Sequence, residues 1–436
     1  MEPSMPRSLV AFAVFLLVSG VARAGSLDQK VADQIDEAAR AWLMRSGAPS
    51  VSIAVVQDGT HIYAKACGSA RLNPTRPATS QTRYAIHSVS KQFTAAAILL
   101  LAEQEKLSLD DKIERWFPDL GAAGQVTIQQ ILTHTSGIRD FWRHDFLSPE
   151  MVHPKAPSAI IAEWAAPPLD FEPGSDWHYS NTGYVIAGAI VEKVSGEALV
   201  PFLHAHVFAP LKMTGVTEDD SGPLPIEDAG AYTRYGTGSA RPAPKEGAGW
   251  PLGPGELAMN ARDLALWDIS LIDRALLKPE SYVAAFTPAA LKDGKNAPYG
   301  PGLFIDDDQG HPHISHMGAG SGFHAENHIW PDDKTAIVVL TNSDWTDPSA
   351  LVDQIAFAVL PSTPEVLRAP NQMASWTNSW SPRRAIDSPR CRSHLRHTAK
   401  VQKGRLPARE VACGVRPDHR ALSRRSGHDF VNSTLT

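Results

Sequence analysis

The chain has 436 residues, 43% of them apolar, enough to bury a large core in one domain or several. A formal net charge of -6 argues against a nucleic-acid partner, and three cysteines in this length make no disulfide framework. Cys67 is the only cysteine before Cys391 and reads as a small buried residue.

Residues 1–24 read as an export leader: Arg7 precedes the apolar run Leu9 to Val18, and Ala22-Arg23-Ala24 supplies the small residues of a cleavage site. Ser19-Gly20 stops that run short of the ~20 apolar residues a span requires. The mature chain is therefore expected to begin near Gly25, to be periplasmic or secreted, and to carry no stable membrane span. No cysteine follows the cleavage site to take a lipid.

Ser26-Leu27-Asp28-Gln29 has the form of a capping box, and Leu27, Val31, Ile35, Ala38 and Trp42 follow at helical spacing up to Gly47. Ser50 to Val56 alternates as a strand, Asp58-Gly59 is a hairpin turn, and His61 to Ala66 resumes the extended pattern. Ile86-His87-Ser88-Val89-Ser90-Lys91 then opens a long apolar helix, with Ser88 predicted at its start. Three residues apart on a helix, Ser88 and Lys91 share a face, so the amine stands beside the hydroxyl and can take or relay its proton. A solvated lysine behind a helix cap has the same local sequence.

Ser108 to Asp111 and Val126 to Leu132 read as short helices joined by a turn at Pro118. Asp140 to Pro173 is rich in Trp, Pro and His without a period, as suits an irregular pocket wall. Tyr179-Ser180-Asn181 comes 91 positions after Ser88, before an apolar helix from Gly183 to Val194 that stops at Gly196. A tyrosine hydroxyl beside an ammonium can have its pKa lowered toward use as a base, and an asparagine amide both donates to and accepts from a substrate amide.

Leu303 to Ile305, Ile314 to His316, Phe323 to Trp330 and Thr335 to Thr341 are predicted strands, with Pro331 to Lys334 as the last turn; Leu351 to Leu360 reads as a final helix. His316-Met317-Gly318-Ala319-Gly320 is a glycine-rich stretch 137 positions after Tyr179, where a substrate can approach the backbone. Strands at both ends with helices between predict one antiparallel sheet and a helical insertion at about 90–300, within a domain over 25–360. The segment 361–436 has 14 Lys and Arg against 5 Asp and Glu and no apolar period, and is expected to be a disordered basic tail.

Ser88-x-x-Lys91, Tyr179-x-Asn181 and His316-x-Gly318, in this order, resemble the serine β-lactamase and penicillin-binding protein superfamily. Ile131 to Gly137, Pro210 to Met213 and Gly255 to Leu264 are similar to other stretches of it, and the resemblance spans roughly residues 30 to 360. It implies an α/β (α+β) fold of the β-lactamase/transpeptidase type, an antiparallel sheet of five or more strands flanked by helices, with a mostly helical second subdomain. It further implies an acyl-enzyme on Ser88, with Lys91 and Tyr179 sharing the proton work in an order left open. Asn181 would orient the substrate, and the backbone N–H groups of Ser88 and Ala319 would form the oxyanion hole.

His316 and Met317 depart from the lysine and hydroxyl residue of β-lactamases, so weaker recognition of a substrate carboxylate is expected. The His-x-Gly form is similar to that of some D-Ala-D-Ala carboxypeptidases, D-aminopeptidases and family VIII esterases. The expected activity is therefore hydrolysis of a small amide, β-lactam, ester or peptide of the β-lactamase or D-Ala-D-Ala carboxypeptidase type. Alternatives are a family VIII-type carboxylesterase, a D-aminopeptidase, and a non-catalytic module binding penicillin or peptidoglycan. That module has no need of Ser88, Lys91 and Tyr179 together. No cofactor is required, and His311, His313 and His316 lack a companion motif for a metal. His204 and His206 read as surface or packing residues, and no Gly-x-Ser-x-Gly elbow supports a Ser-His-Asp triad.

Overall fold

A computed structural model describes residues 27–142, 147–220, 222–308 and 310–360, all within the first of the two units into which the chain divides, Met1–Asn371. The expected leader at 1–24 and basic tail at 361–436 lie outside the described residues. No helix among the described residues is long and apolar enough to cross a membrane.

Helix α1 spans Gln29–Ser46 and ends on Gly47, whose φ of 67° is the left-handed value that a helix stop needs. Its cap is Asp28, which accepts from Lys30 N–H at 2.9 Å; Ser26 of the expected capping box lies outside the described residues. The first hairpin joins β1 (Ser50–Gln57) to β2 (Thr60–Leu72) through Asp58 and Gly59, both at positive φ, the geometry that matches strand twist in a two-residue turn. A short β3 (Thr75–Pro77) follows. The large sheet then resumes at β4 (Tyr299–Gly300), β5 (Leu303–Asp308), β6 (His311–Gly320), β7 (Phe323–Trp330) and β8 (Thr335–Thr341).

These eight strands form one antiparallel sheet in the order β3-β2-β1-β8-β7-β6-β5-β4, so the first and last long strands meet in its middle. Val51, Ile53 and Val55 of β1 pack with Trp42 of α1 and with Leu351 and Ile355 of α5 (Ser349–Val359). Ala54 and Val56 turn the other way into the main core. Both faces of β1 are thus covered, which is why its sequence runs apolar without a break from Ile53 to Val56.

The helices α2 (Lys91–Glu103), α3 (Asn181–Ser195) and α4 (Ala261–Asp273) lie between the two groups of strands in sequence. Two small sheets accompany them, one joining Tyr84–Ala85, Leu257–Met259 and Val216–Glu218, the other Tyr232–Thr233 and Arg241–Pro242. Ile128–Leu132 is a helix with a full capping box between Thr127 and Gln130. Ser108 to Asp111, read as a helix, is instead a turn closed by Asp111 N–H to Ser108 O at 3.0 Å, with the Asp111 carboxylate returning to Ser108 N–H. Short polar side chains there compete with a helical ladder.

A buried amide ties the strands together where β8 ends. Asn342 accepts from Ser50 N–H at 2.9 Å and Ser50 Oγ at 2.8 Å, and donates to the Ala70 and Ser69 carbonyls at 3.1 and 3.3 Å. Replacing it by alanine orphans these buried groups. Asn342→Ala is expected to cost about 3 kcal/mol, read as a lower denaturant midpoint at unchanged slope; a midpoint equal to that of the native chain would contradict this.

Candidate active site

The nucleophile region is held from both sides. Tyr84 pairs with Met259, Ile86 N–H donates to Leu257 O at 3.0 Å, and the chain then reverses at His87, which takes the left-handed φ of 43°. His87–Ser90 is a 3-10 turn that runs into α2. Ser88 therefore does not cap or start the α-helix as expected from sequence. The left-handed His87 tightens the entry, and Ser88 sits in the turn with Lys91 as the first α-helical residue.

That turn brings the predicted groups together. Lys91 is fully buried, and its Nζ lies 3.0 Å from Ser88 Oγ, 2.8 Å from Asn181 Oδ1 and 3.1 Å from the Pro254 carbonyl. Thr94 Oγ1 donates to Gly253 O at 2.7 Å and so fixes the loop that carries Pro254. Tyr179 lies near enough to Ser88 for that side chain to favour its ionised form, and Lys91 Nζ stands 4.9 Å from its ring centroid. Asn181 opens α3 behind the Ser180 cap. Asp140 accepts from Asn181 N–H at 2.9 Å and Asn181 Nδ2 at 3.3 Å, which turns the amide oxygen toward Lys91.

Burial sets the protonation states. It lowers the Lys91 pKa to about 7, although Asp140 and Glu256 pull the other way. It pushes the Tyr179 hydroxyl well above its usual value. The sequence-based expectation of a tyrosine lowered by its lysine neighbour is thus reversed: loss of solvent outweighs the nearby amine. Burial also raises the Asp140 and Glu256 carboxyls, to about 6 and about 8.

The glycine-rich strand forms the opposite wall. β5 pairs with β6 only as far as Ser315, so the β5-side edge of β6 from His316 to Gly320 is left unpaired by it. Gly318 lies so close to the nucleophile turn that a Cβ there would stand 2.0 Å from Ile86 O and 3.2 Å from Ser88 N. Ala319, the next residue, is exposed. His316 is buried, with Nε2 2.8 Å from Tyr299 Oη and Nδ1 2.6 Å from Met317 O. Burial, with Lys91 second, lowers its pKa to about 3, so it is neutral and both nitrogens are engaged. Sequence reasoning, which expected only weaker carboxylate recognition at this position, did not anticipate a buried neutral imidazole.

The other histidines weighed from the sequence lie elsewhere. His313 contacts Asp306 and His328, and His311 contacts Asp333, on the β6 face opposite to His316. No group of three or more metal-ligating side chains was found among the described residues. His204 is exposed and His206 packs tilted against Phe202, as surface and packing residues do. Asp140 and His134, which touches the Tyr179 segment, were not assigned roles from the sequence, since only the fold brings them near.

Chemically, the arrangement offers a hydroxyl beside a buried amine of lowered pKa, a protonated phenol near the same hydroxyl, and a strand edge that β5 leaves unpaired alongside. The sequence model of the family described as Beta-lactamase matches residues 27–359. The chain is 28% identical over 307 residues to Penicillin-binding protein 4* of Bacillus subtilis (strain 168), covering 67% of this chain and 68% of that protein. It is 30% identical over 338 residues to a D-aminopeptidase of Brucella anthropi, covering 76% of this chain but only 63% of the relative's length. Among solved structures, the octameric penicillin-binding protein homologue from Pyrococcus abyssi matches with a TM-score of 0.65 and 27% identity, over 76% of each chain. The D-amino acid amidase from Ochrobactrum anthropi SV3 shares the fold, with a TM-score of 0.66 at 23% identity over 76% of this chain and 98% of that one.

Proposed function

The chain belongs to the beta-lactamase family of serine hydrolases, and on that basis we propose that it is an exported enzyme that forms an acyl-enzyme on Ser88 from D-amino-acid amides and esters. The observation that carries the chemistry is the 3.0 Å approach of a fully buried Lys91 amine to Ser88 Oγ.

Neutral Lys91 takes the Ser88 proton as Oγ bonds to the substrate carbonyl carbon. The resulting oxyanion faces the N–H groups of Ser88 and Ala319. As the carbon to leaving-group bond breaks, the Tyr179 hydroxyl gives its proton to the departing amine or alcohol and regains one from the Lys91 ammonium. Water then attacks the ester with Lys91 again as base, and Ser88 leaves protonated. Asn181, oriented by Asp140, holds Lys91 in line.

The substrate class follows from charge. A β-lactam or a C-terminal D-alanine presents a carboxylate, and the neutral His316 has no charge to offer it. A D-amino-acid amide or ester with a free amine makes no such demand, and the Brucella anthropi relative is named a D-aminopeptidase. The leader pattern and the penicillin-binding relative support export. Hydrolysis of D-alanine p-nitroanilide, p-nitrophenyl acetate, nitrocefin and a D-Ala-D-Ala peptide separates the possibilities. The first two are expected to turn over, with kcat/KM for nitrocefin about 100-fold lower; nitrocefin as the best substrate would overturn the substrate class.

His316→Lys provides a further check. A cation on this wall is expected to raise kcat/KM for nitrocefin about tenfold relative to D-alanine p-nitroanilide. An unchanged ratio would show that position 316 does not act on the substrate.

A further inference from the structure

The segment Thr133 to Gly137 has no part in the chemistry above, yet His134 grips Tyr179 in three ways. Its backbone carbonyl accepts from His178 N–H at 3.0 Å, and its Nδ1 accepts from Ser180 N–H at 3.1 Å. Its ring lies on the Tyr179 ring with centroids 4.2 Å apart at 37°. The residue before Tyr179, the residue after it and its own ring are all fixed by one side chain and its backbone. Tyr299 and Tyr184, with centroids at 4.6 and 5.2 Å, close the other sides of the imidazole.

This grip has two local costs. His134 takes a left-handed φ of 59°, a region that histidine enters more readily than most residues but still at a penalty. Because Nδ1 accepts a backbone N–H, the ring proton sits on Nε2, and that buried N–H has no hydrogen-bond partner among the described residues. Both costs fall on the residue that aims an acceptor at Ser180. The platform beneath it is rigid: helix Ile128–Leu132 has its full capping box, and Thr135 N–H returns to Gln130 O at 2.9 Å.

We propose that His134 is a positioning residue that holds the Tyr179 hydroxyl against Ser88 by clamping the backbone on either side of it. The inference rests on the proposed Ser88 chemistry and extends it: His134 touches no reacting atom and acts only through Tyr179. Displacing a reacting group by about 1 Å costs on the order of 100-fold in rate, and a partly retained ring should cost less.

The test is the rate at which a fluorophosphonate labels Ser88, with thermal midpoints measured in parallel. His134→Phe keeps the ring and removes the acceptor; His134→Asn keeps an acceptor and tolerates the left-handed backbone. Each is made in the native and the Tyr179→Phe backgrounds. His134→Phe is expected to slow labelling about 30-fold in the native background and less than about 3-fold with Tyr179→Phe, because no hydroxyl is left to position. His134→Asn is expected to stay within about 3-fold of the native rate. Equal losses in the two backgrounds, or no loss for His134→Phe, overturn the proposal. If His134→Phe shows no folding transition, His134→Gln, which moves the acceptor outward, replaces it with the same outcomes. Absence of labelling in the native protein refutes the Ser88 chemistry, and this inference with it; labelling that is indifferent to position 134 refutes the inference alone.

Discussion

Replacing Lys91 by methionine is expected to lower kcat/KM for a D-amino-acid amide by about 10³-fold, within the range for loss of a general base. Methionine keeps the length and fills the buried space, so the loss reports the amine rather than a collapsed helix. Three neighbours surround Nζ, namely Ser88 Oγ, Asn181 Oδ1 and the Pro254 carbonyl, and all three are neutral. A neutral amine satisfies this set completely: it donates two N–H bonds, to Asn181 and Pro254, and accepts the Ser88 hydroxyl. An ammonium would gain attraction from Asp140 and Glu256, but its lost hydration outweighs that gain.

The pH profile has a definite sign. With the Lys91 pKa lowered to about 7 by burial, the amine is protonated and idle below that pH and free above it. The native kcat/KM should therefore fall about tenfold per unit below pH 7 and reach a plateau above it. The limb belongs to the group as a whole, since Asp140, Glu256 and Tyr179 titrate in the same neighbourhood. A limb near pH 10 would mean that Lys91 stays an ammonium, and would transfer the role of base to Tyr179.

Gly318→Ala is expected to reduce kcat about 100-fold while the protein remains folded. The added methyl meets backbone, not a flexible side chain: Ile86 O at 2.0 Å and Ser88 N at 3.2 Å. Relief requires β6 and the nucleophile turn to separate, and the Ala319 N–H moves away with the strand. Loss of one oxyanion donor costs about 3 kcal/mol of transition-state stabilisation, equivalent to roughly 100-fold. The effect should therefore appear in kcat with KM little changed, and the thermal midpoint should fall by a few degrees because the clash is with backbone. Retention of kcat within about 3-fold would place the oxyanion hole elsewhere.

The sheet was legible where the signal is local. Phe323–Trp330 and Thr335–Thr341 coincide with their predicted limits, because Pro331 to Lys334 marks the turn between two strand-forming runs. β6 was read too short, as Ile314 to His316, since Gly318 and Gly320 remove the side chains that reveal a strand; its ladder with β7 extends it to Gly320. The residues Ser88, Lys91, Tyr179 and Asn181, named from two of the three motifs, do converge. What the sequence could not supply is everything that depends on burial and distant chain. The lowered lysine, the raised tyrosine, the neutral His316 against Tyr299, and the supporting Asp140 and His134 all arise from side chains that the fold brings in. The His87 reversal, which moves Ser88 from a helix cap into a 3-10 turn, is likewise a backbone state with no residue signature beyond a histidine.

The central claim is that Ser88 carries the acyl group. Incubation with a fluorophosphonate, followed by intact-mass measurement and peptide mapping, tests it most directly. One adduct on the peptide containing Ser88, absent from Ser88→Ala and formed faster as the pH rises through about 7, is the predicted result. An adduct on any other residue, or an intact mass unchanged by both a fluorophosphonate and a penicillin, would contradict it.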